Sequence, residues 1–150
     1  MRASLLLLAL LALLAAGCAW SRPSRIYPAW RATDAAAGTP FQCAKATPVV
    51  VKTGKTGVGI TMIFDGGDAT CVLALTDVVL FVEDRDVAHA KPPRMPTLAP
   101  CVRVEMYFPF FFDENSSFNA GERTGALVLK NGQTSTAFPL ALDPAPGTTK

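Results

Sequence analysis

The side chains that could do chemistry are few and far apart. The chain of 150 residues has one histidine, His89, in Val87-Ala88-His89-Ala90-Lys91-Pro92-Pro93. A general base or a metal ligand needs partners held around it, and a lone imidazole beside a proline-rich stretch reads as a solvated loop residue. Two carboxylate groups, Glu83-Asp84-Asp86 and Asp113-Glu114, have the residue types of a glycosidic acid–base pair or a calcium site. Both follow apolar runs, where charges face water and end a strand. Gly54-Lys55-Thr56 carries the trio of a phosphate loop without its earlier glycine and without a following helix, so its amides would not converge on a phosphate and it reads as a turn. There is no Gly-x-Ser-x-Gly elbow. The expectation is a non-enzymatic protein with no catalytic residue, no metal site and no cofactor.

Binding chemistry is better represented. Tyr107-Phe108-Pro109-Phe110-Phe111-Phe112 puts five aromatics around one proline. Successive strand residues point to opposite faces, so three consecutive Phe cannot share one side. Either both faces are covered or part of the run is exposed as a contact surface. Tyr107, Phe110, Phe111 and Phe112, with Trp30, form the candidate interaction surface. Charge narrows the partner class: 14 basic residues face 12 acidic ones, and no basic run is interleaved with aromatics. No nucleic-acid partner is expected.

The elements that would position these groups begin after a distinctive first segment. Arg2 precedes the Leu- and Ala-rich stretch Leu5 to Ala16, and small residues lead into Cys18. The apolar run is short of the ~20 residues that a permanent transmembrane helix needs, and it has the layout of a secretory signal. Leu14-Ala15-Ala16-Gly17-Cys18 resembles the lipobox of bacterial lipoproteins, with Ala15 where that class prefers Leu. The resemblance covers residues 1–19 only. It implies cleavage before Cys18, acylation of that cysteine, and a partner in the lipid bilayer. Ala19 in place of Asp implies sorting to the outer membrane, with the domain facing the periplasm. Two or three acyl chains would hold the protein almost permanently, where one binds reversibly. The alternative is a secreted or periplasmic soluble protein cut after Ala19.

If Cys18 carries lipid, Cys43, Cys71 and Cys101 remain, an odd number in a compartment that permits disulfides. The expectation is one bridge and one spare thiol, pairing Cys43 with Cys71 or, alternatively, Cys71 with Cys101. No spacing fits zinc or a CxxC redox motif.

The mature chain divides into a lipidated Pro- and Ala-rich tether over 18–40, a single β domain over 41–143 and a disordered tail over 144–150, after a signal peptide over 1–17. Short β runs follow one another from Phe41. Val58, Ile60, Met62 and Phe64 alternate, and so do Val102, Val104, Met106 and Phe108. Gly66-Gly67 between Asp residues reads as a hairpin turn, and Asn131-Gly132 as a tight one. Thr76-Asp77 breaks the long run after Cys71, and Pro109 confines its strand to an edge or a bulge. No window after Leu14 sustains helical periodicity. The class is all-β: a small antiparallel β-sandwich, with immunoglobulin-like topology possible, or a β-barrel, of six to seven strands.

The function expected is that of an outer-membrane lipoprotein whose β domain binds or supports another cell-envelope protein, such as a secretion, pilus or assembly accessory. One alternative is a periplasmic inhibitor of a hydrolase such as lysozyme. Small lipidated β-barrels that inhibit lysozyme begin with an aromatic-x-Cys segment similar to Phe41-Gln42-Cys43, while their inhibitory loop has no counterpart here. A carbohydrate-binding module is the third reading.

Overall fold

The computed structural model describes residues 29–54, 56–112 and 122–143. The signal peptide, Cys18, most of the tether, the Asp113–Gly121 loop and the tail over 144–150 lie outside the described residues. The described part is an all-β domain of several antiparallel sheets. In chain order its strands are β1 (Ala29–Ala32), β2 (Thr39–Phe41), β3 (Ala44–Gly54), β4 (Gly57–Gly66), β5 (Cys71–Val72), β6 (Asp77–Val82), β7 (Arg85–Ala90), β8 (Thr97–Leu98), β9 (Arg103–Phe111), β10 (Thr124–Asn131) and β11 (Thr134–Asp143). The five-stranded sheet runs β1-β11-β10-β6-β7, the four-stranded sheet runs β2-β3-β4-β9, and β5 pairs with β8 alone.

Alternation explains which faces meet. Val58, Ile60, Met62 and Phe64 of β4 are buried, as are Val78, Leu80 and Val82 of β6, Leu127 and Leu129 of β10, and Phe138, Leu140 and Leu142 of β11. All of them belong to one apolar cluster, so both large sheets turn a face to the same core. Burying a Leu, Ile or Phe contributes ~1.5–3 kcal/mol each relative to exposure.

The structure differs from the expected layout in three places. Eleven strands are present among the described residues rather than six or seven; the strands not anticipated are β1, β2, β7 and β8. Packed structure also begins well before Phe41. β1 pairs with β11 from Ala29↔Asp143 to Ala32↔Leu140, and Trp30 is buried. Its ring lies where a Cβ on Gly125 would come within 2.7 Å of Trp30 Cζ3 and 2.9 Å of Leu142 Cδ1, so the missing side chain is the seat of the indole. Residues 29–40 are therefore part of the domain and not a tether.

The third difference concerns Gly66-Gly67, which is not a hairpin turn. β4 pairs with β3 and β9, whereas β5 joins β8 in another sheet. The Gly66 N–H donates to the Val102 carbonyl at 2.9 Å, and a Cβ there would sit 3.0 Å from that oxygen. Glycine serves here for close backbone approach rather than for a turn. Asn131-Gly132 does close a hairpin, between β10 and β11, with Gly132 at φ 59°.

A disulfide ties the β2–β3 connection to the start of β5. Cys43 is bonded to Cys71, closing a separation of 28 residues. The neighbouring Gln42, at φ 54°, donates from Nε2 to the Ala74 carbonyl at 2.6 Å and accepts the Ala74 N–H at 3.0 Å. By the loop-entropy estimate such a bridge stabilises by ~3–4 kcal/mol. The alternative pairing of Cys71 with Cys101 is excluded, and Cys101 is an exposed free thiol.

Candidate functional site

Strand alternation sorts the aromatic run. On β9, Phe108 and Phe110 point into the core, with 0% and 1% exposure, while Tyr107 and Phe111 point out at 51% and 74%. Phe112 follows the strand, half-buried, and stacks on Trp30 with ring centroids 6.3 Å apart. The expected surface therefore divides: Tyr107 and Phe111 are exposed, whereas Phe110 and Trp30 are core residues and Phe112 supports Trp30. The sequence run gave no way to assign faces because the register of β9 depends on its partner. β9 pairs with β4 through Tyr107↔Thr61, Pro109↔Gly59 and Phe111↔Gly57. It is the last strand of its sheet, and that edge position tolerates Pro109.

Two glycines shape the surface between the rings. A Cβ on Gly59 would collide with the far half of the Tyr107 ring, 2.7 Å from Cε2 and 2.8 Å from Cζ. The phenol thus lies down over the bare backbone of β4. A Cβ on Gly57 would strike the Phe110 carbonyl oxygen. Opposite Gly59, on the far side of β4, stands Lys52 of β3. The β3 register skips between Val50 and Lys52; the extra residue, Val51, turns Lys52 to the outer face, where simple alternation from the inward Val50 would have buried it. The result is a shallow groove of about 250 Å³, lined by Lys52, Thr56, Gly57, Gly59, Tyr107 and Phe111 among others. It presents the rings of Tyr107 and Phe111, the Lys52 ammonium and the hydroxyls of Thr56 and Tyr107 over a backbone floor. Exposed Val49 and Val51 extend the apolar character onto β3.

The carboxylates and the histidine fall elsewhere. Glu83 and Asp84 form the turn between β6 and β7, with Glu83 at φ 51°. The Glu83 carboxylate accepts the Thr124 hydroxyl at 2.9 Å and the N–H groups of Arg123 and Thr124 at 3.2 and 3.3 Å. These bonds, the hydroxyl first, hold its pKa below the ordinary 4.5. Glu122, buried at the start of the segment into β10, pairs with Arg85. Nothing in the sequence marked that pair, since its members are 37 residues apart.

His89 is not a loop residue. It lies in β7 with Nε2 2.6 Å from Asp86 and Nδ1 3.2 Å from Asp77. Partial burial pulls its pKa down, but hydrogen bonds to Asp77 and then Asp86 outweigh it, and the net shift is upward from 6.5. Among the described residues, no group of three or more His, Cys, Asp or Glu is arranged to hold a metal ion, and no helix is long and apolar enough to cross a membrane.

No family model, curated protein or solved structure matches the chain.

Proposed function

We propose that the protein is a non-enzymatic lipoprotein, anchored in the outer membrane through acylated Cys18 and facing the periplasm, whose β domain binds another envelope protein. The domain works as an antiparallel sandwich in which the two large sheets supply the core and the outer face of β9 supplies the contact. The observation that carries this reading is the exposure of Tyr107 and Phe111 on a strand whose other aromatics are fully buried. A large ring left in water at 74% exposure, four residues from a second one, has the character of an interface anchor ringed by smaller contacts.

The test is co-purification from detergent-solubilised envelope with wild-type protein and with the Tyr107→Ser/Phe111→Ser variant. An envelope protein retained by the wild type and lost by the variant supports the reading; equal retention removes β9 as the contact. Intact mass of the membrane form addresses the anchor. Loss of residues 1–17 with added acyl mass supports it, and a soluble product beginning at Trp20 overturns it.

A second reading draws on the groove itself. A tyrosine lying flat on Gly59, with Lys52 and Thr56 beside it, also suits stacking against a sugar ring. Binding of soluble envelope glycans, abolished by Tyr107→Ser, would favour a carbohydrate-binding module over a protein partner.

A further inference from the structure

The environment of His89 is built by an irregularity in β7. Residues three apart on a regular strand face opposite sides of the sheet. Here the register runs Leu80↔Ala88 and then Phe81↔Asp86, so Val87 is an extra residue without a partner. That bulge brings Asp86 and His89 to the same outer face, opposite Phe81 and Val79 in turn. Asp77, two residues before Val79 on β6, faces the same way. The imidazole therefore sits between a carboxylate on its own strand and one on the neighbouring strand.

Hydrogen-bond chemistry fixes its state. Both ring nitrogens lie against carboxylate oxygens, Nε2 on Asp86 at 2.6 Å and Nδ1 on Asp77 at 3.2 and 3.3 Å. A neutral imidazole has one N–H and one lone pair. Either tautomer would turn a lone pair on a carboxylate, so only the imidazolium satisfies both contacts. The residue under the clamp is Val79, which is fully buried although it lies outside the main core cluster. β7 is the end strand of the five-stranded sheet, so one neighbour alone, β6, holds it by hydrogen bonds.

We propose that this bulge builds a proton-operated latch, in which charged His89, oriented by Asp86 of its own strand, pins edge strand β7 to Asp77 of β6 and releases it when the imidazole loses its proton. The inference is independent of the partner-binding reading. Several charged groups surround the latch. β6 contributes Asp77, β7 contributes Asp86, and β10 contributes Lys130, whose Nζ is 4.0 Å from Asp77. Arg85 of β7 is engaged with Glu122. β9 also touches β7, and its Arg103 is occupied by Asp65 at 3.8 Å and Glu105 at 4.0 Å. After deprotonation the imidazole keeps one N–H; held on Nε2 by the shorter contact to Asp86 of its own strand, it turns a lone pair on Asp77, which keeps Lys130, so the bond that is lost is the one between β7 and β6.

The sign follows from linkage. A histidine whose pKa is raised on folding contributes its full stabilisation below the unfolded value of 6.5 and loses it as pH rises through the folded value. The latch is closed in acid and open in alkali.

The test is NMR of the intact protein, reading the His89 imidazole titration together with hydrogen exchange of the β7 amides, corrected for intrinsic rates. The expected result is a His89 pKa above 6.5 with both ring nitrogens protonated at its acid end. The opening constant of β7 should then rise across that titration by tenfold for each unit of pKa elevation. His89→Gln should flatten this dependence, and Asp86→Asn should bring the His89 pKa down. A His89 pKa at or below 6.5, or β7 protection that ignores the titration or survives unchanged in His89→Gln, overturns the proposal.

Discussion

Two aromatic rings in this domain lie on glycines, and their fates are opposite. Trp30 covers Gly125 inside the five-stranded sheet, with Phe112 stacked against it, and is buried. Tyr107 covers Gly59 on the outside of the four-stranded sheet and remains half in water. In both cases the absent Cβ lets a large ring approach the backbone of another strand of its sheet, the adjacent one for Tyr107 and the next but one for Trp30. The first ring then has its other face closed by protein, and its role is packing. The second leaves its other face open to solvent, with Phe111 alongside. The difference lies in the second layer over the ring rather than in the local device.

This contrast can be broken by substitution. The largest effect is expected at the buried member: Trp30→Ala, like Phe110→Ala, should cost ~3–5 kcal/mol of stability in chemical denaturation, the usual penalty for emptying a buried aromatic site. A loss below 1 kcal/mol at Trp30 would mean that β1 is only loosely attached and that the domain does begin near Phe41. The glycines give the next comparison. Gly125→Ala meets the indole, Leu142 and the Phe81 carbonyl at 2.7–3.0 Å inside the core, and should cost about 1–3 kcal/mol through overpacking. Gly59→Ala meets the free end of the Tyr107 ring, which can swing into solvent, so the same measurement should move by less than about 1 kcal/mol while binding in the groove falls.

The outer residues sharpen the comparison from the other side. Phe111→Ser should leave the unfolding free energy within about 0.5 kcal/mol of wild type, as exposed positions do, and, if the proposed contact is right, abolish capture of an envelope partner. The smallest effects are electrostatic. The carboxylate of Glu83 is stabilised by hydrogen bonds that lower its pKa, so its contribution is present above 4.5 and lost as pH falls through the lower folded value. Glu83→Gln should therefore reduce the acid-side slope of a stability-versus-pH curve and leave the alkaline side, where His89 acts, unchanged.

Much of this was legible in the sequence where period and turn chemistry agree. The alternation of Val58, Ile60, Met62 and Phe64 and the Asn131-Gly132 turn correspond to β4 and to the β10–β11 hairpin. Cys43 with Cys71 was one of two expected pairings, and only the fold chooses between them. What sequence concealed had physical reasons. β1 and β2 are four and three residues long, too short to show a period, and their hold on the domain comes from single rings such as Trp30 and Phe41. The β6–β7 turn uses Glu83 at positive φ, held by bonds from residues some 40 positions away, instead of a glycine. The bulges at Val51 and Val87 shift Lys52 and His89 to faces that a strict two-residue period would not give them. The candidate surface was thus identified as a segment, and its division into inward Phe110 and outward Phe111 waited on register.

The central claim is that the contact surface of this domain is separable from its core. The most direct measurement compares Tyr107→Ser/Phe111→Ser with wild type in one experiment, reading the unfolding free energy and the retention of envelope protein on the immobilised domain. The account predicts stability within about 1 kcal/mol of wild type, given that both side chains are exposed, together with loss of the retained partner. A variant that unfolds, or one that stays folded and retains the same partner in the same amount, would contradict it.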